Sequence, residues 1–384
     1  MPDSERAVPD ARDLMLSFAE RTGIMSGRTP RRYLWTDAFA VCNLLGLGRA
    51  TGEKRTVDLA LALVGQVHEV LGRHRSDDGR RGWLSGLPDD GARAHPTAGG
   101  LRIGKPLPER RPGEPFDERL EWERDGQYFH YLTRWMHALD QVARVTRDRR
   151  FNLWARELAA TAHRAFTAGG PWGRRMFWKM SVDLSRPAVP SMGQHDPLDG
   201  LVSCVELEVT AEELGKGGEG PSLAGATDDF AKMTAGLELG TFDPLGMGGL
   251  LVDASRIARF SGHRPFTDDE LLHRVLDAAL EGLPQYARTA DPVEPATHRL
   301  AFRELGLVLG IDAVRLAAGA AKGRMRPSTC HRFEHVLRYA PFAEALLDFW
   351  TTPAHRATQT WLAHEDINDV MLATCLAPAG YLGP

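Results

Sequence analysis

The chain has 384 residues, and its 47 Lys+Arg are matched by 51 Asp+Glu to a formal net charge of −4, which offers no basic field to a nucleic acid. Its uninterrupted apolar runs fall well short of the roughly 18–20 residues a membrane-spanning helix needs, and MPDSERAVPDARD has no basic, apolar, small-residue signal pattern. The expectation is a cytoplasmic protein with neither nucleic-acid nor membrane partners, folded as one large domain over residues 1–384.

Asp10–Gly23 (DARDLMLSFAERTG) predicts an amphipathic helix. Tyr33-Leu34-Trp35-Thr36-Asp37 then opens AFAVCNLLGL, a run without a polar face that must be buried on every side. KRTVDLALALVGQVHEVL (54–71) is amphipathic again, with apolar residues at i, i+3, i+4 and i+7. The same alternation recurs. Openers at 124–128 (RDGQY), 195–199 (HDPLD), 242–245 (FDPL), 297–303 (THRLAFR) and 364–369 (HEDIND) lead into buried-type runs such as GMGGLLVDASRIA, LGLVLGIDAVRLAAGAA and NDVMLATCLA. Between them lie amphipathic segments such as RFNLWARELAATAHRAF (150–166) and DDELLHRVLDAALEGL (268–283).

This pattern predicts an all-α fold, an (α/α)6 toroid of six inner and six outer helices, with the N-terminal helix pairing with the last inner one. The two longest connections, residues 73–124 and 168–196, both run from an outer to an inner helix and are rich in Pro, Gly, Arg and Trp. Connections this long are usually functional, and they are expected over the end where the openers gather. MFWKMSVDLS (176–185) alternates enough for a short strand, part of a possible hairpin. GKGGEG (215–220) and the Arg/Gly-rich 319–328 read as plain linkers.

Several chemistries lack their motifs. Cys42, Cys204, Cys330 and Cys375 form no CxxC pair and read as core thiols. His68-Glu69 and His364-Glu365 miss the second histidine of a zinc-protease helix, GKGGEG follows no strand, and GWLSG (82–86) has the wrong spacing for a nucleophile elbow. Neither DDxxD nor DxDD occurs, which disfavours a terpene cyclase. No metal and no cofactor is expected.

In its alternation of helices and the position of its openers, nearly the whole chain resembles the six-hairpin, (α/α)6-toroid glycosidase-like superfamily. That superfamily includes inverting glycosidases, unsaturated-glucuronyl hydrolases and sugar epimerases of the N-acylglucosamine 2-epimerase type. The resemblance implies an active site at the mouth formed by the inner-helix N-termini. It also places His364 where the epimerases carry a catalytic histidine on the sixth inner helix, whereas on the fourth this chain has Asp243 in place of theirs.

The openers supply the candidate site residues. Asp196-Pro197 and Asp243-Pro244 have the form of an N-cap followed by Pro at the first helical position, but His195 beside Asp196 and Asp199 also has the makings of a proton-transfer site. His364, Glu365 and Asp366 with Asp369 are too many ionisable groups for a cap. Asp37 sits beside Trp35 and Tyr33, flat faces on which a sugar ring stacks. Trp122, Asp125, Gln127 and Tyr128 form a similar aromatic and polar group, and Arg299 and Arg303 can hold an anionic substituent or pair with the acidic openers. His68, His137, His163 and His273 fall away from the openers and read as structural.

Glycoside hydrolysis needs two carboxylates, one protonating the leaving oxygen and one activating water. The expected catalytic pair is Asp125 or Asp199 with Glu365, while Trp35, Asp37, Trp122, Gln127, Tyr128, Asp196, Asp243, Arg299, Arg303 and Asp366 contact a small-molecule or oligosaccharide substrate. One alternative is a sugar isomerase or epimerase using His195 and His364 as acid and base. Another is a toroid that binds a glycan or protein without turnover.

Overall fold

The computed structural model describes residues 4–170, 173–215, 219–290, 294–320 and 325–383. The first elements are α1 (Ser4–Arg21), α2 (Leu34–Thr51), α3 (Lys54–Leu71), α4 (Asp89–Ala94), α5 (Glu118–Glu123), β1 (Gln127–Tyr128), α6 (Phe129–Thr146) and α7 (Arg149–Phe166). Then follow β2 (Thr167–Gly170), β3 (Gly173–Met176), β4 (Lys179–Met180), β5 (Pro187–Val189), α8 (Asp196–Glu213), α9 (Ala224–Ala235), α10 (Pro244–Arg259) and α11 (Glu270–Thr289). After a 3₁₀ turn at Ala296–His298 come α12 (Ala301–Ala320), α13 (Pro327–Leu337), α14 (Ala340–Thr351), α15 (Pro353–Arg356), α16 (Gln359–Leu362), α17 (Glu365–Leu376) and α18 (Ala379–Leu382).

Each opener read from the sequence lies at the start of a long helix: α2, α6, α8, α10, α12 and α17. The amphipathic segments become α1, α3, α7 and α11, and the third and fifth partners are α9 and α13. Residues 216–218 and 321–324 of the two expected linkers, and 171–172 of the second long loop, lie outside the described residues. No helix among the described residues is long and apolar enough to cross a membrane.

By their contacts the residues form two compact units, one of Ala19–Leu45 and Lys54–Leu237, the other of the chain up to Phe18, Gly46–Glu53 and Glu238–Gly383. In the first unit α6 buries Phe129, Leu132, Trp135, Met136, Leu139 and Val142 against α7 and α8. Its second long loop carries the expected hairpin: β2 pairs antiparallel with β3, with Thr167 opposite Met176. β4 then joins a three-stranded antiparallel sheet, β1-β4-β5, that ties the loop to the opener of α6 through Gln127↔Met180 and Tyr128↔Lys179.

The two long loops are also laced to each other. Arg80 of the first bonds Asp183 of the second at 2.8 Å and pairs with Glu109 within its own loop. Glu109 accepts the Val182 N–H at 2.8 Å, Arg110 donates to the Ala188 carbonyl at 3.1 Å, and the buried Lys179 ammonium pairs with Glu121 at 2.9 Å.

Inner helices that are apolar all round do not describe α6 and α8. Both bury a polar stripe: Thr133, His137, Asp140 and Gln141 on α6, and Asp199, Ser203, Glu206 and Thr210 on α8. The stripes pair rung by rung, Arg134 with Asp199 at 2.9 Å, His137 with Glu206 at 2.9 Å, Asp140 with Thr210 at 2.8 Å and Arg144 with Glu213 at 2.8 Å.

The second unit uses small residues instead of charge. α10 crosses α12 so closely that a Cβ at Gly248 would stand 2.1 Å from the Gly306 carbonyl oxygen, and one at Gly310 would stand 2.6 Å from the Gly248 Cα. The obstacle in each case is backbone, which cannot swing aside as a side chain can. Gly249, one residue on, has nothing within 4 Å of its Cβ position. Gly248→Ala is therefore expected to destabilise the protein by at least about 2 kcal/mol, as overpacking a tight contact does, while Gly249→Ala is neutral or slightly stabilising because alanine favours the helix. Urea unfolding of the two variants checks this, and equal midpoints would refute the backbone clash.

Candidate functional site

Several opener residues are used to build the fold. Asp37 accepts the Tyr33 N–H at 3.0 Å and pairs with the buried Arg32 guanidinium at 3.3 Å, so it ties down the turn before α2. Trp35 is buried against Phe39, with ring centroids 4.5 Å apart, and offers no open face to a sugar. Asp125 is 0% exposed. It pairs with Arg102 and accepts the N–H groups of Gly104 at 3.0 Å and Gly126 at 3.1 Å. An oxygen so engaged is not available to activate water or protonate a leaving group, which corrects the expectation for Asp125.

Gln127 is likewise committed. Its Oε1 accepts the Leu101 N–H at 2.9 Å, and its Nε2 donates to the carbonyls of Gly99 at 3.1 Å and Val182 at 2.8 Å. It is a buried tie between the two long loops, which corrects its assignment as a substrate contact. Gly100, at φ +74, passes so close that a Cβ there would overlap the Gln127 amide.

The remaining residues of this unit come together. Trp122, 52% exposed, packs tilted against Trp178, with ring centroids 5.1 Å apart. Trp178 meets Tyr128 at 4.9 Å, Tyr128 meets Tyr131 at 5.1 Å and His130 at 6.0 Å, and Tyr131 meets Tyr33 at 5.5 Å with their hydroxyls 2.5 Å apart. The Tyr128 hydroxyl is buried without a partner. Burial raises the pKa of all three tyrosines, so they remain protonated.

One turn further along α6, Arg134 donates to both oxygens of Asp199, at 2.9 and 3.2 Å. Asp199 and Arg134 are close enough to His130 to act on its charge, and burial, the larger effect, pulls the His130 pKa down to about 4. His130 is therefore neutral at physiological pH. On the first turn of α8, Asp196 is 4% exposed and its Oδ2 has no hydrogen-bond partner. Burial, reinforced by the neighbouring Asp199, raises its pKa well above the usual carboxylate value. Two carboxyls thus lie three residues apart on the first turn of α8, one with an unpartnered buried oxygen and one held by Arg134. His195 precedes them, half-buried, at the N-cap.

In the other unit Asp243 caps α10, accepting the Gly246 N–H at 3.1 Å, and pairs with Arg303 at 2.7 Å. Arg299 is buried, bonded through two nitrogens to Glu304 at 2.9 and 2.7 Å and stacked 3.9 Å over Phe349. Neither arginine is held open for an anionic substituent. His364 is exposed with its ring 5.9 Å from Phe302, and Glu365 and Asp366 are half-buried on the first turn of α17. His68 accepts from the Trp135 indole at 3.2 Å, His163 pairs with Asp229 at 2.9 Å, and His273 meets Thr329 at 2.9 Å, so these three are structural like His137. No group of three or more His, Cys, Asp or Glu among the described residues has a metal-holding arrangement.

His130, Tyr131, Arg134 and Trp178 did not emerge from the sequence. A signal existed for the first and third: His130, Arg134, His137, Gln141 and Arg144 recur at steps of three and four, one face of a helix. Asp199, Ser203, Glu206, Thr210 and Glu213 repeat the pattern on α8.

No protein-family model and no curated protein sequence matches the chain. Solved structures do. The GH76A α-1,6-mannanase from a Salegentibacter species is similar over 97% of this chain and 99% of its own, at a TM-score of 0.54 and 11% identity. A GH76 α-mannanase from Bacteroides thetaiotaomicron is similar over 97% and 96%, at a TM-score of 0.56 and 9% identity. The cellobiose 2-epimerase from Spirochaeta thermophila covers 87% of this chain at a TM-score of only 0.48, too low for its chemistry to bear on this one. The chain thus shares the all-α, (α/α)6 fold of the two mannanase structures.

The buried Asp196 carboxyl has a stability consequence. Its pKa is raised in the folded state, so its contribution to stability is full below the unfolded value of about 3.9 and is lost as the pH rises through the folded value. Asp196→Asn carries no such loss. The variant is expected to melt at a higher temperature than the wild type at neutral pH, with the difference vanishing below about pH 4. Thermal melts of both proteins from pH 3.5 to 8 check this, and a constant difference across the range would show that Asp196 does not change its ionisation on folding.

Proposed function

We propose that the chain is a carbohydrate-active enzyme that hydrolyses a glycosidic bond in an oligosaccharide by acid–base chemistry at the N-terminus of α8. The observation that carries the reading is Asp196: a buried carboxyl with an unpartnered oxygen and a raised pKa, beside an Asp199 that Arg134 holds in place. With its pKa raised by burial, Asp196 is suited to hold a proton and give it to the leaving oxygen. Asp199, held by Arg134, is the second carboxyl of the pair. Trp122 and the half-buried Trp178, Tyr131 and Tyr33, packed around the buried Tyr128, supply the flat apolar faces on which sugar rings rest. The fold shared with the α-mannanases supports the same class of substrate by analogy.

A variant of the Salegentibacter mannanase with two consecutive aspartates replaced by asparagine is inactive, and it has been seen in complex with α-1,6-mannotriose. Consecutive aspartates occur in this chain at 77–78, 89–90, 228–229 and 268–269, none of them at the start of an inner helix. Most are already engaged: Asp77 with Arg75 at 2.8 Å, Asp78 with Arg80 at 2.7 Å, Asp89 with the Trp83 indole at 2.9 Å, Asp229 with Arg174 at 2.9 Å and Asp269 with Thr329 at 2.9 Å. We therefore assign the chemistry to a differently spaced pair, Asp196 and Asp199. Proton transfer among carboxyls requires no metal. Glu365 and His364 stay in the proposal on sequence grounds.

Reducing-end release from α-1,6-mannotriose and a panel of other neutral trisaccharides tests the reading. Asp196→Asn is expected to lower kcat about 10²–10⁴-fold, the usual contribution of a general acid, while trisaccharide binding survives. Asp125→Asn loses activity only in step with its loss of folded protein. If Asp196→Asn keeps more than a tenth of wild-type kcat, the acid has been misassigned; Glu365→Gln in the same assay then decides whether α17 carries it.

A further inference from the structure

Phe177 and Trp178 are consecutive residues that serve different sites. Trp178 belongs to the aromatic series beside Asp199, whereas Phe177 lines a separate groove of about 510 Å³ formed by the last turns of α7, strand β2, the turns at 84–85 and 98–99, and the loop 183–187. A volume in this range suits a small ligand, and none of the residues already considered at the α8 site lines it.

The groove is rigidly built. A Cβ on Gly99 would stand 2.2 Å from the Ser85 nitrogen, so the two turns are in backbone contact. Thr161 Oγ1 donates to the Ala98 carbonyl at 3.0 Å, and the buried Gln127 amide ties Gly99 to Val182. Asp183 accepts from Ser181 and Ser185 at 2.8 and 2.7 Å, fixing the far wall, where Leu184 is held at φ +60. A β-unbranched but bulky residue in the left-handed region is uncommon and marks a loop whose shape the surroundings impose.

Into this frame project groups of mixed chemistry. Arg164 is exposed, with Thr161 Oγ1 at 3.4 Å as its side-chain contact and no carboxylate paired with it among the described residues. Ser85, Ser185 and the Phe177 ring line the same groove, as does Asp183, whose carboxylate is already bonded to Arg80, Ser181 and Ser185. A donor-only cation, hydroxyls and an aromatic ring suit a neutral, polyhydroxylated ligand. The Asp183 carboxylate disfavours an anion, and the polar walls disfavour a lipid.

We propose that this groove is a second carbohydrate-binding site, holding a neutral hexose unit of the glycan away from the point of cleavage. The inference rests on the carbohydrate reading of the α8 site but not on its chemistry. A glycan anchored in the groove takes no part in bond cleavage there, and it raises the effective concentration of its other units at the catalytic site as far as their linkages reach.

The test uses the full-length Asp196→Asn protein on an array of neutral mono- to tetrasaccharides, beside the same protein carrying Ser85→Trp, which fills the groove, or Arg164→Ala. Circular dichroism confirms that both are folded. The expected result is a second binding event on the array that both groove variants weaken about tenfold, while binding at the α8 site is kept. On an otherwise wild-type chain, the same substitutions leave trisaccharide kcat unchanged and raise KM for the corresponding polysaccharide. Unchanged array binding in both folded groove variants overturns the inference and leaves the α8 reading intact. Groove-dependent binding in a wild-type protein that hydrolyses none of the array sugars supports the groove and removes the hydrolase reading. No binding to any sugar overturns both.

Discussion

The constraint on which the first unit depends is the pairing of buried charge across α6 and α8. A helix surrounded on all sides has no water to solvate an ionised side chain, and an isolated charge there costs several kcal/mol. The buried pairs Arg134–Asp199 and His137–Glu206 and the Thr210 hydroxyl on Asp140 meet that cost only if the two helices keep one register, and Arg144–Glu213 carries the ladder out to the surface. Sliding either by a turn would set Arg134 against Ser203 and leave Asp199 buried and alone. The register that satisfies the rungs also fixes the first turn of α8, and so fixes where Asp196 stands relative to His130 and the tyrosines. Gln141 and Ser203, between the rungs, have buried polar atoms without protein partners, places where ordered water belongs.

The alternation of buried and amphipathic helices was legible because it rests on local periodicity, and the starts of α2, α6, α8, α10, α12 and α17 follow from it. What an opener does once folded was less legible, because it depends on partners far along the chain. Asp125 and Asp196 look alike in sequence, each a carboxyl before an inner helix. Arg102, 23 residues away on a loop without periodic pattern, occupies Asp125. Nothing comparable reaches the Oδ2 of Asp196. The difference between a structural aspartate and a candidate acid was set by a loop whose path no local rule predicts. His130 and Arg134 were hidden for another reason: their helical spacing was visible, but a search for apolar faces passes over a polar stripe that is itself buried.

The second unit solves the same packing problem by other means. Gly248, Gly306 and Gly310 bring α10 and α12 to backbone contact, so shape rather than charge sets their register. Charge pairing tolerates small adjustments of long side chains, while glycine contact tolerates none.

Arg80 has a further consequence. Its guanidinium touches Asp78, Glu109 and Asp183, joining two loops that are about a hundred residues apart in sequence. Loops so joined form a single inheritable module: neither can be exchanged, shortened or diversified alone without stranding charges on the other. Reshaping either loop, whether by selection or by design, requires that residues 73–124 and 168–196 be replaced together.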